Sequence, residues 1–513
     1  MNEPVRFRDL HEASQSLSPA ELRFERARRT AGLFAGPLAF AVLLAVPPPA
    51  PSPEAARLVA LLAWVLLWWV TEAVPIPVTA LLGPALGAVV GVGTAAEMFA
   101  PFGDPIVLFF LGSFVLAEAM TCSGLDRRFA YAILGRPRVA ATPGRLFVAF
   151  GAITAVLSSW LSNTATTAML LPIVLSVLAA FARAGGVDPR GLRYGTALLL
   201  ALAYAASIGG IATPVGTAPN LIVLGQLEAL AGSRVPFLHW MAVAVPVATL
   251  MLVLLLAYLR VALPPDVPEL GREGAALATE RAALGRLSRA ECNVLAAFAT
   301  TVALWVLPGL VAVVFGAESA AFRTVQRVLP EGAVAVFGAS LLFVLPVDWK
   351  ARRFTLSWNE AARIDWGTLL LFGGGLALGA AMFRTGLAAS LGEGLVALTG
   401  SRSLPALTFL FTLVTLVLTE TTSNTASATM VGPLAIAAAL AAGVSPVPPA
   451  MAVALASSMA FVLPVSTPPN AIVYGSGCVP ITAMIRHGLV IDVASALVVP
   501  TGVLLGCRLL GLG

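Results

Sequence analysis

Ser162-Asn163-Thr164 and Ser423-Asn424-Thr425 each set three consecutive hydrogen-bonding side chains inside apolar sequence. The stretches they open, SNTATTAMLLP (162–172) and SNTASATMVGP (423–433), agree at six of eleven positions, so the motif is a duplicated unit. Hydroxyl and amide groups both donate and accept. At the start of a half-helix they cap unpaired backbone N–H groups. Those N–H groups carry partial positive charge and attract carboxylates. Two such tips facing one another match a short dianion, which has two charged ends. Neither stretch contains Arg or Lys, so compensating charge must arrive with the anion. Sodium suits this task, because hydroxyl, amide and carbonyl oxygens are hard, neutral ligands. One turn upstream stands another hydroxyl in each copy: Ser158 before Ser162, and Thr419 before Ser423. That i, i+4 spacing puts both oxygens on one helix face.

A second duplicated segment supplies the other wall. ATPVGTAPNLIVLG (212–225) matches VLPVSTPPNAIVYG (462–475) at eight of fourteen positions. Proline breaks a helix and frees carbonyls for ions. Gly216, Thr217, Ala218 and Pro219 do this in one copy, and Ser466, Thr467, Pro468 and Pro469 in the other. A lone Ser or Thr in a membrane helix ordinarily bonds its own i−4 carbonyl or packs between helices. Two copies, each followed by a matched broken segment, point instead to a binding site. Four ionisable groups also fall within apolar runs, Glu72, Glu118, Glu420 and Arg384, and such residues are functional suspects. Glu72 and Arg384 are expected near helix ends, and Glu420 adjoins the second tip. His11, His239 and His487 are isolated and form no metal or triad constellation. Trp68, Trp69, Trp240, Trp349 and Trp366 are expected to include interface anchors.

The elements that position these groups must be membrane helices. The 513 residues are 58% hydrophobic and only 11% charged, with mean hydropathy +0.92. Repeated apolar runs reach the length of about 17–25 residues needed to cross a bilayer. Continuous Leu/Ala/Val runs exclude a barrel, whose strands alternate. The net charge of +5 lies in loops and is almost all Arg, which fits cytoplasmic loops and not nucleic-acid binding. The four cysteines are scattered without CxxC spacing, so disulfides and zinc are not expected, and small buried hydrophobes are. Residues 1–31 form a polar cytoplasmic tail with a short helix capped by Ser18, followed by an apolar segment near 32–47. Residues 261–290 form a polar cytoplasmic linker with a helix at its end, dividing the chain in two. Arginines flank 144–182 on both sides, which predicts a re-entrant hairpin with the first Ser-Asn-Thr at its tip. Residues 404–442 repeat the pattern. Spans are expected near 192–213, 236–260, 291–315, 331–347, 367–383, 449–466 and 480–511.

A third match, FLGSFVLAEAMTCSGL (110–125) with FGGGLALGAAMFRTGL (372–387), gives offsets of 262, 261 and 250 in constant order. The halves therefore repeat. Asp126-Arg127-Arg128 follows the first landmark, whereas no basic residue follows Gly386-Leu387 until Arg402. The charges predict inverted topology. Inverted repeats with broken helices at matched positions mark a secondary transporter with its site between the repeats.

At these residues the sequence resembles the divalent anion/sodium symporters, the INDY-type dicarboxylate and citrate transporters. The resemblance rests on both Ser-Asn-Thr motifs, TEAVPIPVTALLG (71–83), LFFLGSFVLAEAM (108–120), LLLFGGGLALG (369–379) and the GTAPN and STPPN segments. It runs from about residue 35 to the end. It implies an all-α polytopic membrane protein of about eleven transmembrane helices plus two re-entrant hairpins, in two inverted repeats, working as an elevator in a homodimer. Residues 32–140 and 291–402 would form the scaffold, and 141–260 and 403–513 the transport domain. It implies one sodium site at Ser158, Ser162, Asn163 and the Gly216 carbonyl, and a second at Thr419, Ser423, Asn424 and the Ser466 carbonyl. Substrate would be held by Ser162, Asn163, Thr164, Thr217, Ser423, Asn424, Thr425, Thr467 and Pro468. Family members often carry Ala at the position of Ser466, so its extra hydroxyl could alter substrate choice.

The expected function is sodium-coupled import of C4-dicarboxylates such as succinate, malate or fumarate, with sodium as coupling ion and no organic cofactor. The partners expected are dicarboxylate, sodium, membrane lipid and a second copy of the chain, with no nucleic acid. A sodium-independent exchanger, or a carrier of citrate or sulfate, shares the fold and stays open. An intramembrane enzyme would need a nucleophile–base pair or metal ligands at depth, which the sequence lacks near the tips. A channel would need a continuous polar pore. The Arg-, Ala- and Gly-rich, Lys-poor composition suggests a bacterial inner membrane, with the N-terminus in the cytoplasm.

Overall fold

A computed structural model describes residues 19–140, 142–185, 192–267, 274–316 and 319–512. His11, Ser18 and most of the polar tail lie outside them. Among the described residues the structure is helical, except for one short β-pairing of Pro346–Asp348 with Arg353–Phe354 inside the basic loop.

Helix α1 (Pro19–Ala45) joins the expected tail helix and the following apolar segment into one rod. It packs on α2 (Pro53–Thr71). Glu72 ends α2 in the left-handed region (φ 47°), and α3 (Ile76–Val89) follows the Pro75 turn. Next come α4 (Pro105–Ser123), α5 (Leu125–Leu134), α6 (Pro143–Ser158), α7 (Asn163–Gly185), α8 (Arg193–Gly210), α9 (Ala218–Ala231) and α10 (Phe237–Ala262). The linker holds α11 (Gly274–Ala283), as expected. The second half contains α12 (Arg289–Phe315), α13 (Ala320–Val328), α14 (Glu331–Val344), α15 (Trp366–Arg384), α16 (Leu387–Thr399), α17 (Leu404–Thr421), α18 (Asn424–Ala442), α19 (Val447–Ser457), α20 (Pro468–Gly475) and α21 (Ile481–Leu509). The order α4–α10 is repeated, helix for helix, by α15–α21.

Contacts between the halves are reciprocal. First-half α9 lies against α18 and α19, and second-half α20 lies against α7 and α8. Within each half, α6 packs on α8 and α17 on α19. Helix α8 is the centre, with every residue from Tyr194 to Gly210 buried. A helix apolar all round belongs in the interior of a membrane protein. Gly209 permits its close approach to α6: a Cβ there would meet Ala155 backbone at 2.3 Å. Among the described residues, nine helices are long and apolar enough to cross a membrane, or ten if the bent pair α13–α14 counts as one span.

Two expectations are corrected, those for the span at 449–466 and for the cysteines, and the tryptophans divide into two groups. The span expected at 449–466 stops being helical at Ser457, because Glu420 Oε1 takes the amides of Phe461 and Val462 at 2.7 and 3.2 Å and Pro464 has none to give. Trp68, Trp69 and Trp240 are interior, whereas Trp349 and Trp366 are exposed. Cys478 and Cys507 are buried, but Cys122 and Cys292 are exposed.

The end of the linker is clamped. Arg128 on α5 pairs with Glu291 on α12 and donates to the carbonyls of Leu284, Gly285 and Arg286 at 2.8, 3.0 and 3.2 Å. Glu291 also completes a capping box with Ser288. Removing one partner of a buried pair strands the other charge. Arg128→Met should therefore destabilise the detergent-solubilised protein by about 3 kcal/mol in thermal unfolding, and Arg128→Met/Glu291→Gln, which removes the stranded charge and keeps an acceptor for the Ser288 amide, should recover part of the loss. A single variant melting with the parent would show that the clamp does not hold the halves.

Candidate functional site

Both Ser-Asn-Thr motifs begin a helix after a break. Ser162 Oγ accepts from the Ala165 amide at 3.2 Å, and Ser423 Oγ accepts from the Ala426 amide at 3.2 Å. The serines are thus matched N-caps, as the sequence predicts. The amides of the first turn beyond them have no helical acceptor and face the break.

The upstream hydroxyls meet the motif asparagines. Ser158 Oγ donates to Asn163 Oδ1 at 2.8 Å, and Thr419 Oγ1 lies 2.9 Å from Asn424 Oδ1 and 2.6 Å from the Ser457 carbonyl. Ser158 and Thr419 are fully buried. The Asn163 side chain lies against Gly210, where a Cβ would stand 2.3 Å from its Oδ1. Gly216 is ringed by carbonyls: a Cβ there would meet Gly210 O at 2.5 Å, Ser159 O at 2.9 Å and Ser158 O at 3.0 Å. Ser158, Asn163 and Gly216 are thus brought close together, and a Cβ at Gly216 would crowd the carbonyls beside it. Neutral oxygens converging without an internal cation suit a sodium ion carried as cargo.

The second cradle has the same plan with one difference. Position 466 carries a serine, whose Oγ lies 2.7 Å from Glu420 Oε2 and 2.9 Å from Glu420 O, with one proton to donate to either. The extra hydroxyl is thus engaged with Glu420. Glu420 holds both ends of the second broken segment, through Phe461 and Val462 on one side and Ser466 on the other. Of the predicted substrate residues, Ser162 and Pro468 are exposed, Asn163, Thr164, Thr217, Ser423, Asn424 and Thr425 are half-buried, and Thr467 is buried. Thr467 caps α20 by accepting from the Asn470 amide at 3.2 Å.

The remaining suspects have separate settings. Glu72 lies 3.6 Å from both Arg28 and Arg29. Arg384, at the end of α15, donates to the Val92 carbonyl at 3.2 Å. Glu118 Oε1 accepts from Cys122 at 3.4 Å. His487 Nδ1 meets the Tyr258 hydroxyl at 2.9 Å.

Several supporting residues were not foreseen. Asn220 Nδ2 bonds the carbonyls of Gly210 and Thr213 at 3.0 and 2.8 Å, and Asn470 Nδ2 bonds those of Ala460 and Leu463 at 3.1 Å each. The duplicated Pro-Asn was the available signal. Trp240 Nε1 donates to Ile211 O at 3.1 Å, within the first broken segment. Gln226 Nε2 donates at 3.3 Å to Thr429 O, the carbonyl that Pro433 four residues on deprives of its helical partner. Arg28 Nη1 lies 3.4 Å from Thr421 O, so a cation does approach the second break from a distant helix. No local pattern announces those last three contacts.

Matched broken helices around two oxygen cradles define a membrane transporter, not an enzyme. A profile of the sodium:sulfate symporter transmembrane region matches residues 27–511, and the chain belongs to that family, the divalent anion/sodium symporters. It is 34% identical over 474 residues to a sodium-dependent dicarboxylate transporter, SdcS, of Staphylococcus saprophyticus, covering 91% of this chain and 89% of that one. An SdcS of Staphylococcus aureus is 33% identical over the same shares. Among solved structures, the YdaH transporter of Alcanivorax borkumensis aligns with TM-score 0.54 at 16% identity, covering 94% of this chain and 98% of that one. MtrF of Neisseria gonorrhoeae aligns with TM-score 0.53 at 13% identity, covering 89% and 94%. At such identities the likeness is one of fold.

Gly216→Ala should abolish transport, with a loss of more than about a hundredfold, because the Cβ must displace backbone carbonyls. Ser466→Ala removes one hydrogen bond and no backbone space, so its loss should be about fivefold or less. Initial uptake rates in proteoliposomes compare the two. Equal losses would mean that the two cradles are not built as described.

Proposed function

We propose that this protein imports C4-dicarboxylates coupled to sodium. The observation that carries the reading is the pair of matched cradles, Ser158–Asn163–Gly216 and Thr419–Asn424–Ser466, each beside a helix N-terminus capped by a motif serine. The names of the SdcS relatives support both the ion and the substrate class. Ser158, Ser162, Asn163 and the Gly216 carbonyl take one sodium. Thr419, Ser423, Asn424 and the Ser466 carbonyl take the other. The first-turn amides beside both motifs, with Thr164, Thr217, Thr425, Thr467 and Pro468, hold the two carboxylates.

Two sodium ions neutralise a dianion and remove the cost of burying its charge. A further sodium would make transport electrogenic, with roughly 2.3 kcal/mol of drive per charge per 100 mV. In this reading α6–α7 and α17–α18 are re-entrant hairpins of inverted repeats, which leaves about eleven spans. Residues 141–260 and 403–513 slide as an elevator against 32–140 and 291–402, in a homodimer of the bacterial inner membrane with a cytoplasmic N-terminus. Sulfate is the second candidate, favoured by the description of the family profile.

Uptake of labelled succinate into proteoliposomes, under an inward sodium gradient and then with potassium in its place, tests this. Uptake with sodium alone, abolished by Asn163→Ala and by Asn424→Ala, is expected. Uptake only into vesicles preloaded with dicarboxylate, regardless of sodium, would make the protein an exchanger. Sodium-driven uptake of sulfate and not succinate would overturn the substrate class.

A further inference from the structure

Asn220 and Asn470 occupy the third position of α9 and α20, separated by the same 250-residue offset as the broken segments. The carbonyls they bind, Gly210 and Thr213 in one half and Ala460 and Leu463 in the other, are separated by that offset too. Both asparagines are fully buried. In each, Oδ1 is buried with no hydrogen-bond partner. An asparagine kept only to fill space or cap a turn has no reason to leave the same acceptor unsatisfied in both halves. The arrangement commits both N–H groups of the amide to carbonyls and gives the oxygen nothing.

The bound carbonyls sit where the cradles are built. Gly210 O is among the oxygens crowding Gly216, and Gly210 lies against Asn163. Carbonyl dipoles gathered around an empty cation position repel each other. A planar amide donates through two N–H groups at fixed divergence. It can therefore hold two carbonyls at one spacing whether or not the ion is there. We infer that Asn220 and Asn470 are positioning residues for the two cation sites: each fixes the broken segment of its own half and so sets the affinity of one sodium site without touching substrate. This rests on the sodium-coupled reading.

Asn220→Leu and Asn470→Leu keep the number of side-chain heavy atoms and remove both donors, and Asn→Ser at each position leaves one. Sodium activation curves of succinate uptake would be measured for the full-length protein in proteoliposomes at saturating succinate. Succinate KM would be measured at saturating sodium. Each Leu variant should raise the half-saturating sodium concentration by about tenfold, with maximal rate within about threefold of the parent and succinate KM unmoved. The Ser variants should fall between and decide the question if a Leu variant does not purify as a monodisperse protein. Sodium curves superimposed on the parent's would overturn the inference. So would a raised succinate KM with unchanged sodium half-saturation, which would make these residues part of the substrate site. Sodium-independent uptake by the parent itself would overturn the coupling reading, and this inference with it, before any variant is compared.

Discussion

Four helix breaks bare main-chain carbonyl and amide groups among buried residues, where each such group must find a partner. A small set of polar side chains at the breaks meets part of this need. Ser162 and Ser423 take amides at two breaks, while Asn220 and Asn470 take carbonyls at the other two. Trp240 and Glu420 serve further groups of the broken segments. What is left over after this mutual satisfaction is a small set of oxygens and first-turn amides converging beside each motif. In the proposed reading the binding site is what this incomplete pairing leaves, for a cation and an anion to complete.

The two halves solve the same problem with unequal parts. At position 216 carbonyl oxygens crowd so closely that no side chain fits. At position 466 a serine fits, and its hydroxyl is tied to Glu420. In the first half the residue equivalent to Glu420 by the motif offset is Ser159, whose carbonyl accepts from Thr213 Oγ1, and no carboxylate among the described residues plays Glu420's part there. Equal geometry is reached in one half by close backbone packing and in the other by a charged side chain. The two cradles therefore differ in their surroundings more than in their ligands.

Much of this was legible in the sequence because duplication exposes it. Chance seldom repeats three motifs in order, so the breaks, the capping serines and the upstream hydroxyls Ser158 and Thr419 could be read from spacing. The linker helix and the second broken segment were legible too, though not the end of helix at Ser457. That end is fixed by Glu420, 41 and 42 residues before the amides it captures, and hydropathy carries no record of such a bond. Arg28 beside Thr421, and Gln226 beneath the Pro433 break, were invisible for the same reason: each is a contact across hundreds of residues. The tryptophans could not be sorted by sequence, because an indole at a span end and an indole donating to an interior carbonyl look alike there. Trp68 bonds Gly32 O and Trp240 bonds Ile211 O.

The reciprocal seating of α9 on α18 and α19, and of α20 on α7 and α8, has a bearing on descent. Each half lends its Pro-Asn helix to the other and leaves that side of its own interior uncovered. A half-length ancestor, carrying one motif and one broken segment, would have had to borrow the missing helix from a second copy of itself. Joining two such copies in one chain would turn an obligate association into an intramolecular one. In a single chain each cradle can vary alone, as Gly216 in one half and Ser466 with Glu420 in the other do.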